Sequence, residues 1–69
     1  MRLSARNQLA GRVVSIIRGP VSSFVKVDVG GQHVSATITT ESVDDLGLRE
    51  GREVSAIFKA SSVVLGVEN

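Results

Sequence analysis

The chain has 69 residues and contains no cysteine, no tryptophan and no tyrosine. It has one histidine, and its two aromatic residues are Phe24 and Phe58. Without cysteine, disulfides and thiolate metal sites are excluded. A single histidine also excludes a His-rich metal cage within one chain, so no metal is expected to be ligated directly by side chains. An excess of one charge is missing as well, since eight Lys and Arg against seven Asp and Glu leave a net +1. Such a chain has no long-range field with which to recruit a polyanion. No segment approaches the length of a transmembrane helix. Arg2, Arg6, Asn7 and Gln8 interrupt any apolar stretch that could serve as a signal peptide. The expected setting is the cytoplasm, with neither membrane nor nucleic acid as a partner.

What is present is a single small domain over residues 1–69. Domains of this size bury a modest share of their surface and are marginally stable alone. They commonly compensate with disulfides, a metal or oligomerisation. The first two are closed to this chain, and a hydrophobic content of 42% is enough to support the third.

The apolar pattern is mostly that of strands. Arg12 to Ile17 is rich in β-branched residues, with Val13 and Ile17 expected on one face and Val14 and Ile16 on the other. A strand apolar on both faces implies cover from a second subunit. After Gly19-Pro20, the residues Val21, Ser23, Val25, Val27 and Val29 alternate with Ser22, Phe24, Lys26 and Asp28. Gly30-Gly31 marks a two-residue hairpin. The return strand places Val34, Ala36 and Ile38 opposite His33, Ser35, Thr37 and Thr39. The spacing then predicts a helix over Thr40 to Leu46, capped by Thr39 or Thr40 and stopped by Gly47. Val43 and Leu46 are expected to face the core together, with Asp44 and Asp45 exposed. After a turn at Glu50-Gly51, a strand with Val54, Ala56 and Phe58 inward is expected, then a last strand from about Val63 to Val67. This order predicts an all-β, OB-like five-stranded barrel with one short helix between strands 3 and 4.

Two short segments at opposite ends of the chain each put hydroxyl groups beside one cation. They are Ser4-Ala5-Arg6-Asn7 and Lys59-Ala60-Ser61-Ser62. A tetrahedral dianion presents only acceptors, so it must be surrounded by donors to leave water. Ser4 and Ser61 supply hydroxyls, Arg6 a planar fork of N–H groups and Lys59 a compact ammonium. Thr39 and Ser42 bracket the helix start, where free backbone N–H groups favour anions. Each of these residues, taken alone, is better read as a cap or a solvated surface charge, since most polar residues of these types sit exposed. Convergence of the ends would make them a pocket that holds an oxyanion without transforming it.

Other functions find less support. A single-stranded nucleic-acid-binding OB module, the main alternative, needs stacking rings in a basic groove, and only Phe24 is left for that role. His33 lies just after the hairpin turn, far in sequence from either hydroxyl cluster, so no catalytic constellation forms around it. A pterin carrier would want an apolar slot with stacking partners, and aromatics are scarce.

The segment Ser4 to Val13 (Ser-Ala-Arg-Asn-Gln-Leu-x-Gly-x-Val) resembles the opening of the molbindins, the small Mop-type molybdate-binding proteins. Gly47 to Val54 is similar to that family's turn before the fourth strand, and Lys59 to Val63 to its closing segment. The resemblance implies an OB-like fold that binds molybdate or tungstate for storage or buffering, without catalysis. It further implies a homo-hexamer of three dimers with anions at subunit interfaces. Carried onto this sequence, one subunit would contribute Ser4, Arg6, Lys59 and Ser61, with backbone N–H groups near Ala5 and Ala60. A neighbour would contribute Thr39 and Ser42. A second kind of site near a threefold axis has Gly19 to Ser22 as its candidate. A free-standing storage protein is expected, since 69 residues leave no room for a partner domain.

Overall fold

The computed structural model describes residues 3–68. Four strands form one antiparallel sheet: β1 (Asn7–Arg18), β2 (Ser22–Val29), β3 (Gln32–Thr39) and β4 (Glu53–Phe58), in the order β3-β2-β1-β4. A short helix, α1 (Thr40–Asp45), follows β3, and a 3₁₀ turn (Ala60–Ser62) follows β4.

β1 does double duty. Its first half pairs with β4, from Asn7↔Phe58 to Arg12↔Glu53, and its second half pairs with β2, from Arg12↔Asp28 to Arg18↔Ser23. The change of partner coincides with a β-bulge at Val14, where the register slips between Val13 and Ser15. A bulge inserts one unpaired residue and bends its strand. It also resets the alternation of side chains. Val13 and Ile16, not Val13 and Ile17, therefore lie opposite Val27 and Val25, with Val13 buried and Ile16 packed against the core. Ile17 is 67% exposed. The simple two-residue period expected over Arg12 to Ile17 is thus corrected by the bulge. The turn before β4 holds the bulge in place, with the Gly51 N–H donating to the Val13 carbonyl at 2.8 Å and the Val13 N–H to the Arg52 carbonyl at 3.0 Å.

Gly11 is required by close approach. A Cβ built there would stand 2.3 Å from the Asp28 carbonyl oxygen and 2.8 Å from Val27 Cγ1. The β2–β3 hairpin turns through Gly30 and Gly31, both at positive φ, between paired Val29 and Gln32. The core is made of Val13, Val25, Val27 and Val43, flanked by Ile16, Val29, Ile38, Leu48 and Val54.

Two further expectations are corrected. Helix α1 ends at Asp45 with Leu46 as its C-cap, and Leu46 is 59% exposed. The Leu48 N–H reaches the Val43 carbonyl and the Gly47 N–H that of Asp44, with Gly47 at φ +62°. This is a Schellman ending, in which the residue after the glycine packs back on the helix. Leu48 therefore joins Val43 in the core where Leu46 was expected. Asp44 and Asp45 are exposed as expected.

The second correction concerns closure. The sheet is four-stranded and open, not a closed five-stranded barrel, and residues 63–67 form no strand within the chain. Val64, Leu65 and Val67 are about nine-tenths exposed. With nothing between them, β3 and β4 remain the two edges of the sheet.

Candidate functional site

The antiparallel register of β1 and β4 decides where the two ends of the chain meet. Asn7 pairs with Phe58, so Ser4-Ala5-Arg6 leads into the sheet beside the point where Lys59-Ala60-Ser61 leaves it. Residues more than fifty positions apart in sequence are thereby held side by side by backbone hydrogen bonds. Ser4, Arg6, Lys59, Ala60 and Ser61 are exposed and Ala5 is half-buried. The 3₁₀ turn starts at Ala60, with Lys59 as its N-cap and the Ser62 N–H closing on the Lys59 carbonyl at 2.9 Å. The leading amides of such a turn have no carbonyl partner within it. Hydroxyls, amides and two cations thus share one end of the sheet. Their exposure leaves an anion at this end in contact with water, where each charge interaction is weak.

Thr39 and Ser42 lie elsewhere. Arg18 pairs with Ser23 and Ser22 pairs with Thr39, which puts the helix start at the Arg18 end of β1. The termini meet at its Asn7 end. The strand between runs for 12 residues, roughly 35 Å along its path at about 3.3 Å per residue. One chain does not bring the two groups together.

The helix start is itself well ordered by hydrogen bonds. Thr39 Oγ1 accepts from the Ser42 N–H at 3.0 Å and donates to Ser42 Oγ at 2.7 Å. The Ser42 hydroxyl proton is left free to point outward, so Ser42 is the readier donor of the pair. Thr40 faces inward. Its hydroxyl donates to the Gly19 carbonyl at 2.7 Å, and its oxygen lies 2.7 Å from the buried Ser23 hydroxyl. With the single Thr40 proton spent on Gly19, Ser23 is the donor in that second bond. The Thr40 N–H adds a bond to the Val21 carbonyl at 2.8 Å. Three bonds therefore tie the helix start to the Gly19–Ser23 connection.

Sequence reasoning missed this anchor. It treated Ser23 as one member of an alternating row and Thr40 as a possible cap. The available signal was a serine at an inward position among valines, which needs a partner if buried. Arg18 was missed as well. It sits at the helix end of the sheet and binds Asp44 through Nη2, 3.0 Å from Oδ1, so its charge is largely answered within the chain. His33 is exposed on the hairpin, 4.0 Å from an Asp28 carboxylate oxygen. Among the described residues no group of three or more His, Cys, Asp or Glu is placed to hold a metal cation. No helix among them is long and apolar enough to cross a membrane.

Known proteins share both sequence and fold with this chain. A family model described as the TOBE domain matches residues 3–65. A probable molybdenum-pterin-binding protein of Haemophilus influenzae is 51% identical over 69 residues, covering 99% of this chain and 100% of the relative. A molybdate-binding protein from Sporomusa ovata superposes with a TM-score of 0.92 at 36% identity, covering 97% of this chain and 100% of that one. The cytoplasmic molybdate-binding protein ModG, solved with molybdate bound, superposes with a TM-score of 0.93 at 45% identity. The match spans 99% of this chain and 49% of ModG. Matched over nearly its whole length in sequence and in backbone, the chain belongs to the TOBE-domain family and, within it, to the molybdenum-pterin-binding (Mop) proteins.

Proposed function

We propose that this protein binds molybdate, and tungstate with it, in the cytoplasm as a reversible store, without catalysis. The site combines two half-sites from different copies. Ser4, Ala5, Arg6, Lys59, Ala60 and Ser61 of one copy face Thr39 and Ser42 of a neighbour, in a homo-hexamer of three dimers. The observation that carries this reading is the Asn7↔Phe58 pairing, which holds two cations and two serines at one end of the sheet. The names of the relatives support the ligand. The separation of Thr39 and Ser42 from the termini supports the sharing between copies.

Chemistry favours this division of labour. Arg6 and Lys59 offset the two charges of the anion, and hydrogen bonds between charged partners are about twice as strong as neutral ones. A neighbour placed over the exposed half-site would exclude water and strengthen those same interactions. Selection against sulfate, also a tetrahedral dianion, rests on cavity size. Molybdate and tungstate are nearly the same size and are bound alike.

Isothermal titration with molybdate, tungstate and sulfate tests the proposal. Binding of the first two well above the third is expected. Equal affinity for all three, or none for any, removes it. The relatives named for molybdenum-pterin make a molybdopterin titration the natural companion experiment. Phe24 and Phe58, on opposite faces of the sheet, offer no paired stacking slot for a pterin ring.

A further inference from the structure

The geometry points to Thr40 as a positioning residue that sets the selectivity of the oxyanion site without touching the anion. The inference rests on the reading of Thr39 and Ser42 as donors to that anion. Thr39 caps a helix of only six residues, and Ser42 lies in its first turn. So short a helix has little stiffness of its own. The bonds from Thr39 Oγ1 to the Ser42 N–H and hydroxyl fix the internal geometry of the pair. They do not fix where Ser42 stands relative to the rest of the sheet.

That task falls to Thr40, which is half-buried between the two donors and the core. Its N–H donates to the Val21 carbonyl at 2.8 Å and its hydroxyl to the Gly19 carbonyl at 2.7 Å, while its oxygen accepts from Ser23 at 2.7 Å. The connection that receives these bonds is stiff. A Cβ built on Gly19 would stand 2.5 Å from the Ser22 carbonyl oxygen, so the turn is tightly closed. Pro20 then fixes one backbone dihedral, and Ser23 is 2% exposed. Val43, 1% exposed, seats the helix in the core. The helix start is thus clamped on its inner side, and the free Ser42 hydroxyl proton is presented on the outer one. Apolar contact tolerates sliding, whereas a hydrogen bond has a set length and direction. A buried serine and a threonine therefore hold a position that two apolar residues of the same size would leave looser. Position matters here because sulfate and molybdate share shape and charge and differ in size. Donors that can close in re-form their bonds around the smaller anion, and donors held in place do not.

The test titrates molybdate into the full chain and into Thr40→Val, Thr40→Ser and Ser23→Ala, and measures sulfate by displacement of molybdate. Thr40→Val keeps the shape of the side chain and removes both hydroxyl bonds. It should lower molybdate affinity roughly 3- to 10-fold, the scale of one hydrogen bond. Sulfate affinity should fall less or rise, so the molybdate-to-sulfate ratio narrows. Thr40→Ser keeps the hydroxyl and should restore the ratio. Ser23→Ala spares the Gly19 bond and should narrow the ratio less than Thr40→Val does. Stability alone does not move this ratio, because a partly unfolded variant loses affinity for both anions by the same factor. An unchanged ratio in Thr40→Val would overturn the positioning role and leave the anion-binding reading intact. So would a narrowed ratio that Thr40→Ser fails to restore. If the unaltered chain binds neither anion, or both alike, the anion-binding reading itself falls, and this inference with it.

Discussion

Arg6 and Arg49 carry the same charge but occupy different surroundings. Arg6 adjoins the paired ends of β1 and β4, whereas Arg49 is exposed in the turn before β4. In titrations, Arg6→Ala should weaken molybdate binding roughly 10- to 100-fold, the scale of about 1.5–3 kcal/mol for a hydrogen bond to a charged group. Arg49→Ala should leave binding within about twofold, since only diffuse attraction is lost. Equal losses would point to surface attraction in place of a defined pocket. Lys59→Ala should fall between them, because an ammonium orients an anion less than a guanidinium fork does. Gly11 makes a different prediction. Its missing Cβ is replaced by the Asp28 carbonyl, so Gly11→Ala forces β1 and β2 apart. A loss of about 1–3 kcal/mol is expected from such overpacking, read as a lower midpoint in urea.

The helix start shows how an element is fixed by partners outside it. Six residues are too few to hold a helix in isolation. Here the Thr39 cap, the Schellman ending and the Thr40–Gly19–Ser23 bonds do the holding. The hydroxyl chain has a direction, from Ser23 to Thr40 to Gly19, and the direction makes the two deletions unequal. Thr40→Val leaves both the buried Ser23 donor and the Gly19 carbonyl without a partner, at a cost of about 1–3 kcal/mol. Ser23→Ala removes one donor and strands no other donor, and should cost about 1 kcal/mol or less. In the double variant the total should fall short of the sum, because the two residues share a bond. Urea melts of the three variants check the order. The surface ion pairs Arg18–Asp44 and Arg12–Glu53 contribute far less, being more than half exposed on each side.

At the scale of the whole molecule, the sheet is an incomplete object. Its core side is open between β3 and β4, and its cationic end is open to water. Both deficits are of the kind that association repairs. If two copies enclose one anion, binding and assembly are linked, and ligand stabilises the assembled state by mass action. Molybdate at about 100 times its dissociation constant should add about 2.7 kcal/mol. For a domain of this size that corresponds to a rise in thermal midpoint of roughly 10–20 °C, measurable by scanning calorimetry. Sulfate at the same concentration should leave the midpoint where it was.

Much of this was written in local sequence. The alternating valines of β2, the Gly30-Gly31 turn, the inward row of β4 and the span of α1 follow from side-chain period and from glycine's tolerance of positive φ. The candidate residues at both ends were visible as residue types, and the resemblance to the molbindins pointed to the family. Three matters were decided only by the tertiary structure. The bulge at Val14 was one, because a strand shared between two partners must bend, and no local pattern states where. The inward turn of Leu48 in place of Leu46 was another, because a helix ending is settled by hydrogen bonds reaching past the glycine. The last was the meeting of Ser4–Arg6 with Lys59–Ser61 and their distance from Thr39 and Ser42. Spacing along a chain carries no information on strand register, and it is register that sets which distant side chains become neighbours.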